Sequence, residues 1–234
     1  MSVNRKRLYQ SAVRDAAARQ TRASIITAAT RLFVEHGYAG TSFEAVAREA
    51  GVARPTVVGA FGSKGTLLGR VLDEALAGDN EEGLVRDRPW YQPVWQATTG
   101  RDTLTAYAHV CVVIGARSGG VVEALHRAAD STTELEAAWD GWNATRRGGA
   151  RRVLDHPPLR ADLRPDLDVE AAADVIAMLN NPELHYMYVT KGNWRDAAFE
   201  AWLADAMHRL ILAEPPPSHP VAASADRLKR LAQG

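Results

Sequence analysis

Residues 43–61 read FEAVAREAGVARPTVVGAF, and this stretch decides the fold. Two short apolar-periodic runs flank Gly51, which ends the first helix and permits a tight turn. Thr41 and Ser42 precede the first run as competent N-caps, and Thr41 with Glu44 has the spacing of a capping box. Pro55 suits the first turn of the second helix, where its missing N–H costs nothing. Val46, Val52 and Val57 supply a small shared core, and Ala47 sits where the helices cross and a larger side chain would collide. Two short helices with such a corner read as a helix-turn-helix, whose second helix fits the DNA major groove. The same spacing also suits an ordinary helical hairpin in a core.

Outward from this corner the apolar spacing is helical nearly everywhere. Ile25, Ile26, Ala29, Leu32 and Phe33 mark a first helix that stops at Gly37. Ser63 caps a fourth helix striped by Leu67, Leu68, Val71, Leu72, Ala75 and Leu76, ending at Gly78. Residues 78–101 turn polar and Pro-broken, with Trp90, Tyr91 and Trp95 embedded. Beyond them the pattern predicts a fifth helix over Leu104–Gly115, a short sixth around Val121–Leu125, and a seventh from Leu135 to Leu154. An eighth helix from Asp168 is interrupted at Asn180-Asn181-Pro182, with Asn181 capping its continuation, and a ninth runs from Phe199 to Ile211. The expected architecture is all-α with about nine helices and no strand. Its divisions are a basic arm (1–20), a helix-turn-helix domain (21–77), a larger helical domain (78–214) and a Pro-rich, flexible tail (215–234).

Composition narrows the function. Of 234 residues, 46% are apolar and 24% charged, ordinary values for a globular chain. Cys111 is the only cysteine, which excludes an internal disulfide and a Cys-rich zinc site and fits a reducing compartment. The first ten residues carry no apolar core of a secretory signal. The longest apolar stretch, Ala106–Ala116, is about half of the roughly 20 residues that a membrane span needs. A cytoplasmic chain with no membrane partner is expected. Net charge is zero, yet residues 1–75 hold 11 Lys+Arg against 6 Asp+Glu, leaving 17 against 22 for the rest. A basic head on an acidic body lets one end approach phosphates; chance segregation of surface charge is the alternative.

Arg22–Leu76 resembles the DNA-binding domain of the tetracycline-repressor (TetR) family of bacterial regulators. The residues that carry the resemblance are Ala28-Ala29, Leu32-Phe33, Gly37-Tyr38, Thr41-Ser42-Phe43, Val46-Ala47 and Ala50-Gly51-Val52. Pro55-Thr56-Val57, the Phe61-Gly62-Ser63-Lys64 signature and Leu67-Leu68 complete it. The resemblance implies three N-terminal DNA-binding helices and a larger helical domain that binds a ligand and dimerises. The chain departs from the pattern at Val58 and Ala60, where many members carry aromatics, and at Ala53, where a Ser or Thr usually caps the third helix. From the chemistry of the side chains, Arg54 can pair with guanine, and Thr56 and Val58 can touch a thymine methyl. Gly59 lets the backbone come close to DNA. Lys64, Ser42 and Thr41 can hold phosphates at helix N-termini. Arg5, Lys6, Arg7, Arg14, Arg19 and Arg22 form an arm that either reaches a minor groove or is a disordered solubilising tail.

The remaining constellations are weaker. The seven histidines are scattered without metal-ligand spacing, and no nucleophile–base order or phosphate loop stands out, so neither metal, cofactor nor catalysis is expected. Trp95, Tyr107, Cys111, Trp139 and Trp142 read singly as core and together as the lining of a ligand cavity. Arg146, Arg147, Arg151 and Arg152 read as a solvated face, with an anionic-ligand contact or dimer salt bridges as alternatives. The resemblance implies a four-helix dimer contact of the last two helices, through Val175, Leu179, Phe199, Trp202, Leu203, Ala206, Met207 and Leu210. The expected function is a homodimeric transcriptional regulator, a repressor, that binds a palindromic operator and is released by a small molecule. The rivals are a helical DNA-associated structural protein without small-molecule control, and a helical enzyme.

Overall fold

The computed structural model describes residues 2–78 and 83–213, with side chains from Arg14 onward. The tail at 215–234 and the side chains of Arg5, Lys6 and Arg7 lie outside the described residues. Helix α1 (Ser2–Gly40) includes the segment expected to be a separate arm, and Gly37 breaks it, with φ 70° and ψ 177°. Then follow α2 (Phe43–Ala50), α3 (Arg54–Phe61) and α4 (Lys64–Ala77). The corner is built as its residues dictate. Ser42 caps α2 by accepting from the Ala45 N–H, and Gly51 closes it at φ 68°. Helix α3 has no side-chain cap at Ala53 and starts on Pro55. Ser63 caps α4 through the Thr66 N–H.

The second half holds the short helix α5 (Gln92–Gln96), the long α6 (Gly100–Ala128) and α7 (Thr133–Leu154), then a short α8 (Pro157–Ala161). Helix α9 (Val169–Leu179) and α10 (Pro182–His185) follow, then a π-helical turn (Tyr186–Thr190) and α11 (Asp196–Ile211). The segment before α6 also holds two 3-10 turns, Val85–Asp87 and Pro89–Tyr91, where the sequence suggested only a broken loop. Among the described residues the only β pairing is an isolated bridge between Leu163 and Leu212.

Two expected helices are one. Helix α6 runs unbroken through Gly115, Gly119 and Gly120 for 29 residues, about 43 Å at 1.5 Å per residue. Its glycines create close approach instead of a stop. A Cβ at Gly119 would lie 2.8 Å from the Pro182 carbonyl oxygen, and one at Gly115 would lie 2.5 Å from the His185 Cβ. The spacing of four brings both glycines onto the α10 side. By length and composition α6 is apolar enough to cross a membrane, unlike the short stretch read from the sequence. It is instead the central helix, with most of its most apolar window buried.

That helix threads two cores. The C-terminal core joins α5, the first half of α6, the end of α7, α8, α9 and α11 around Leu104, Leu154, Ile176, Phe199, Leu203 and Met207. The N-terminal core joins Ile25, Phe33, Val46, Val57, Phe61 and Leu67 to Val121, Val122 and Leu125 of α6 and Leu135 of α7. The helix-turn-helix head is therefore not sealed off at residue 78; its core is completed by the body. A polar contact repeats the junction: the Ser63 hydroxyl donates to Glu134 Oε1 of α7 at 2.9 Å.

Candidate nucleic-acid interface and internal cavity

Helix α3 divides its residues by face. Val57 and Phe61 are buried, while Arg54, Thr56 and Gly59 are exposed and Val58 is half-buried. Each of the two buried side chains contributes roughly 1.5–3 kcal/mol to holding α3 against α2 and α4. Arg22 of α1 stands 4.7 Å over the Phe61 ring, which pins the far end of α3. The outward face thus holds three of the four proposed base-contact residues with little in their way. A Cβ added at Gly59 would meet nothing within 4 Å, so this surface is open to a close partner. Arg54 ion-pairs with Glu44 of α2. The Glu44 carboxyl is lowered below its usual range by a hydrogen bond from its own backbone and by the Arg54 charge. The pair holds the guanidinium beside the corner and is exposed, so screening leaves it easily exchanged. Glu44 as the keeper of Arg54 was not read from the sequence, because the two residues lie ten apart and meet only across the turn.

The proposed phosphate contacts separate. Ser42 is exposed at the α2 N-terminus. Thr41 is 1% exposed, and its hydroxyl donates to the Gly37 carbonyl at 2.8 Å. The capping box read on Thr41 is therefore corrected: the cap is Ser42, and Thr41 has no free face for a phosphate. Lys64 is half-buried. Its ammonium donates to the carbonyls of Tyr38 at 2.7 Å and Thr41 at 2.9 Å and lies 4.1 Å from the Tyr38 ring centroid. Two of its three donors are used inside the protein, and burial pushes its pKa down. Lys64 ties the start of α4 to the α1–α2 corner, so its reading as a free phosphate anchor is corrected.

Behind the head lies a cavity of about 140 Å³. Trp95, Tyr107, Cys111 and Trp142 line it as expected, with Tyr91 and Ile114. Trp139 does not. It stacks flat on His126 with ring centroids 4.3 Å apart and packs against the N-terminal core, which Trp142 also touches. Burial raises the phenol pKa of Tyr91 and Tyr107 and the thiol pKa of Cys111 well above their ordinary values. These groups are neutral at pH 7. Leu76 of α4 lines the same cavity, so the helix that leaves the α2–α3 corner ends at its wall.

The arginine cluster of α7 splits by helical phase. Arg147 and Arg151 face α9: Arg147 pairs with Asp174 and Glu170, and Arg151 with Glu170 and Asp155. Arg146 and Arg152 share the cavity face with Trp142, Thr145 and Gly149. Arg146 donates to Asn180 Oδ1 at 3.1 Å and Asn143 Oδ1 at 3.0 Å, and Asn180 donates on to the Tyr107 hydroxyl at 2.7 Å. This relay unites α7, the α9–α10 break and α6.

The residues expected at a dimer contact also divide. Phe199, Leu203 and Met207 are 0–2% exposed and belong to the protomer's own core. They are removed from the interface. Val175 and Leu179 are half-buried against the same core. Trp202, with 40% exposure, and Leu210, with 44%, remain on the outer face of α11, with Ala206 between them. Met187 and Tyr188 of the π-helical turn are also exposed. Among the described residues no group of three His, Cys, Asp or Glu side chains is arranged to hold a metal.

The described residues form a helix-turn-helix head rooted in a larger helical body, and such a head has the form of a DNA-binding element. Residues 25–71 match the family model of bacterial regulatory proteins, tetR family, and the described residues share their fold with solved regulators of that kind. One similar solved structure is NalD, the secondary repressor of the MexAB-OprM multidrug efflux pump in Pseudomonas aeruginosa. It is 20% identical with a TM-score of 0.62, covering 85% of this chain and 99% of that one. Another is the ketosteroid transcriptional regulator KstR2 of Mycobacterium tuberculosis, 18% identical with a TM-score of 0.59, covering 82% and 95%. A tetR-family structure from Mesorhizobium loti is 19% identical with a TM-score of 0.55, covering 83% and 98%. No curated protein matches the chain by sequence.

Proposed function

We propose that this protein is a ligand-responsive repressor that acts in the cytoplasm as a homodimer, reading a palindromic operator with two copies of α3. Arg54 pairs with guanine, Thr56 and Val58 meet thymine methyl groups, Gly59 admits the DNA backbone, and Ser42 holds a phosphate at the α2 N-terminus. The observation that carries the reading is the double employment of α4. Its first turn is bonded to the α1–α2 corner through Lys64, and its last turn contributes Leu76 to the cavity wall. A molecule that fits the cavity better in one setting of α4 biases the placement of α3, and operator affinity changes by linkage. Trp202, Ala206 and Leu210 are the residues of α11 offered to a second copy.

Selection of bound duplexes from a random pool by the full-length protein tests this reading. The expected product is an inverted repeat whose half-sites lie about one helical turn or more apart. Binding governed by salt without any enriched motif would instead favour a DNA-associated structural protein.

A further inference from the structure

The cavity that the proposed function takes as the effector site is short of acceptors. Arg146 is half-buried, and the side chains it bonds, Asn143 and Asn180, are neutral amides. Its Nε–H is buried without an acceptor, and so is the indole N–H of Trp142, one turn earlier on the same face. A buried N–H left unpaired is costly, and both residues also line the cavity. Among the described residues that line this space there is no Asp or Glu, while Arg86, Arg146 and Arg152 all do. Glu183, whose charge reaches Arg146, is itself held by His126 at 2.8 Å and Asn181 at 3.0 Å. Opposite these donors the wall is aromatic: Tyr91 and Trp95 stack at 5.3 Å between centroids, with Tyr107 beside them at 6.3 Å from Tyr91. The volume of about 140 Å³ is close to the ~150 Å³ cavity known to hold one benzene ring.

We infer that the cavity takes a small one-ring aromatic carboxylate, with the ring against Tyr91, Trp95 and Tyr107 and the carboxylate accepting from Arg146 and Trp142. This assignment rests on the cavity being the effector site only for its regulatory consequence; the binding stands on the cavity's own donors. Burial lowers the Arg146 pKa, as it does for a cation lacking a close counter-ion, and a bound carboxylate restores that charge balance.

Calorimetry on the full-length protein tests it with benzoate, phenylacetate and the neutral isostere benzamide. Benzoate or phenylacetate should bind at least tenfold more tightly than benzamide. Arg146→Gln should remove that preference, and Trp142→Phe, which keeps the ring but loses the N–H, should weaken the acid several-fold while circular dichroism stays unchanged. Equal binding of benzamide, an unaltered benzoate affinity in Arg146→Gln, or no binding of either acid up to millimolar concentration overturns the inference. A parallel operator titration separates the two readings. Arg146-dependent benzoate binding that leaves operator affinity untouched supports the site and defeats its effector role. Operator release by benzamide as readily as by benzoate keeps the regulator and defeats the anion.

Discussion

Arg54 and Lys64 are both cations beside the DNA-facing corner, and their surroundings give them different work. Arg54 is exposed and tied only to a solvated carboxylate, so its guanidinium can leave Glu44 for a base edge. Arg54→Ala should cost about 1–3 kcal/mol of operator affinity and relax preference at one base pair per half-site. Repeating the DNA selection with the variant checks this, and an unchanged motif would remove Arg54 from base readout. Lys64 was legible as functional because it ends the Phe61-Gly62-Ser63-Lys64 signature, but its role was not. The carbonyls of Tyr38 and Thr41 that receive its protons are 26 and 23 residues away, beyond any periodicity in the sequence. Lys64→Met should lower unfolding stability by about 1.5–3 kcal/mol, the range for hydrogen bonds to a charged group, and leave the salt dependence of DNA binding intact. A variant of unaltered melting temperature whose salt slope falls by about one unit would return Lys64 to the phosphates.

At the scale of elements, what was legible is what is local. The α2–α3 corner follows from Ser42, Gly51 and Pro55, each acting within a few residues, and the Asn181-Pro182 break follows from proline chemistry. Helix α6 was misread because Gly119 and Gly120 look like a stop in one dimension. In space Gly119 receives the Pro182 carbonyl of α10. Gly119→Ala therefore sets two effects against each other. Alanine gains about 1 kcal/mol of helix propensity, but its Cβ would lie 2.8 Å from backbone oxygen, an overpacking that costs about 1–3 kcal/mol. A net loss of stability in urea unfolding is expected, and a gain would mean that α10 moves aside freely. The cavity was half legible for the same reason. Its aromatic wall lies in apolar stripes, whereas the Arg146–Asn180–Tyr107 relay draws on three elements and has no sequence spacing. The α11 stripe announced burial at Phe199, Leu203 and Met207 without saying what would cover them; the answer is the protomer itself.

For the whole molecule, the central helix α6 joins the cores of head and body, and the outer face of α11 leaves Trp202 and Leu210 exposed. Trp202 stands edge-on to Trp194 with ring centroids 6.0 Å apart, so its position is held by neighbours while its outer edge is exposed. Large aromatics at an interface centre carry about 2 kcal/mol or more of association energy. Trp202→Asp should give a folded, largely monomeric protein by light scattering, with helical circular dichroism retained and operator binding weakened; a dimeric variant would move the interface elsewhere. The central claim is that two copies of α3 read one operator together. Sedimentation of the full-length protein on the duplex returned by selection tests it most directly. A single complex of two chains per duplex is predicted. One chain per site, or loading that grows with duplex length, would contradict it.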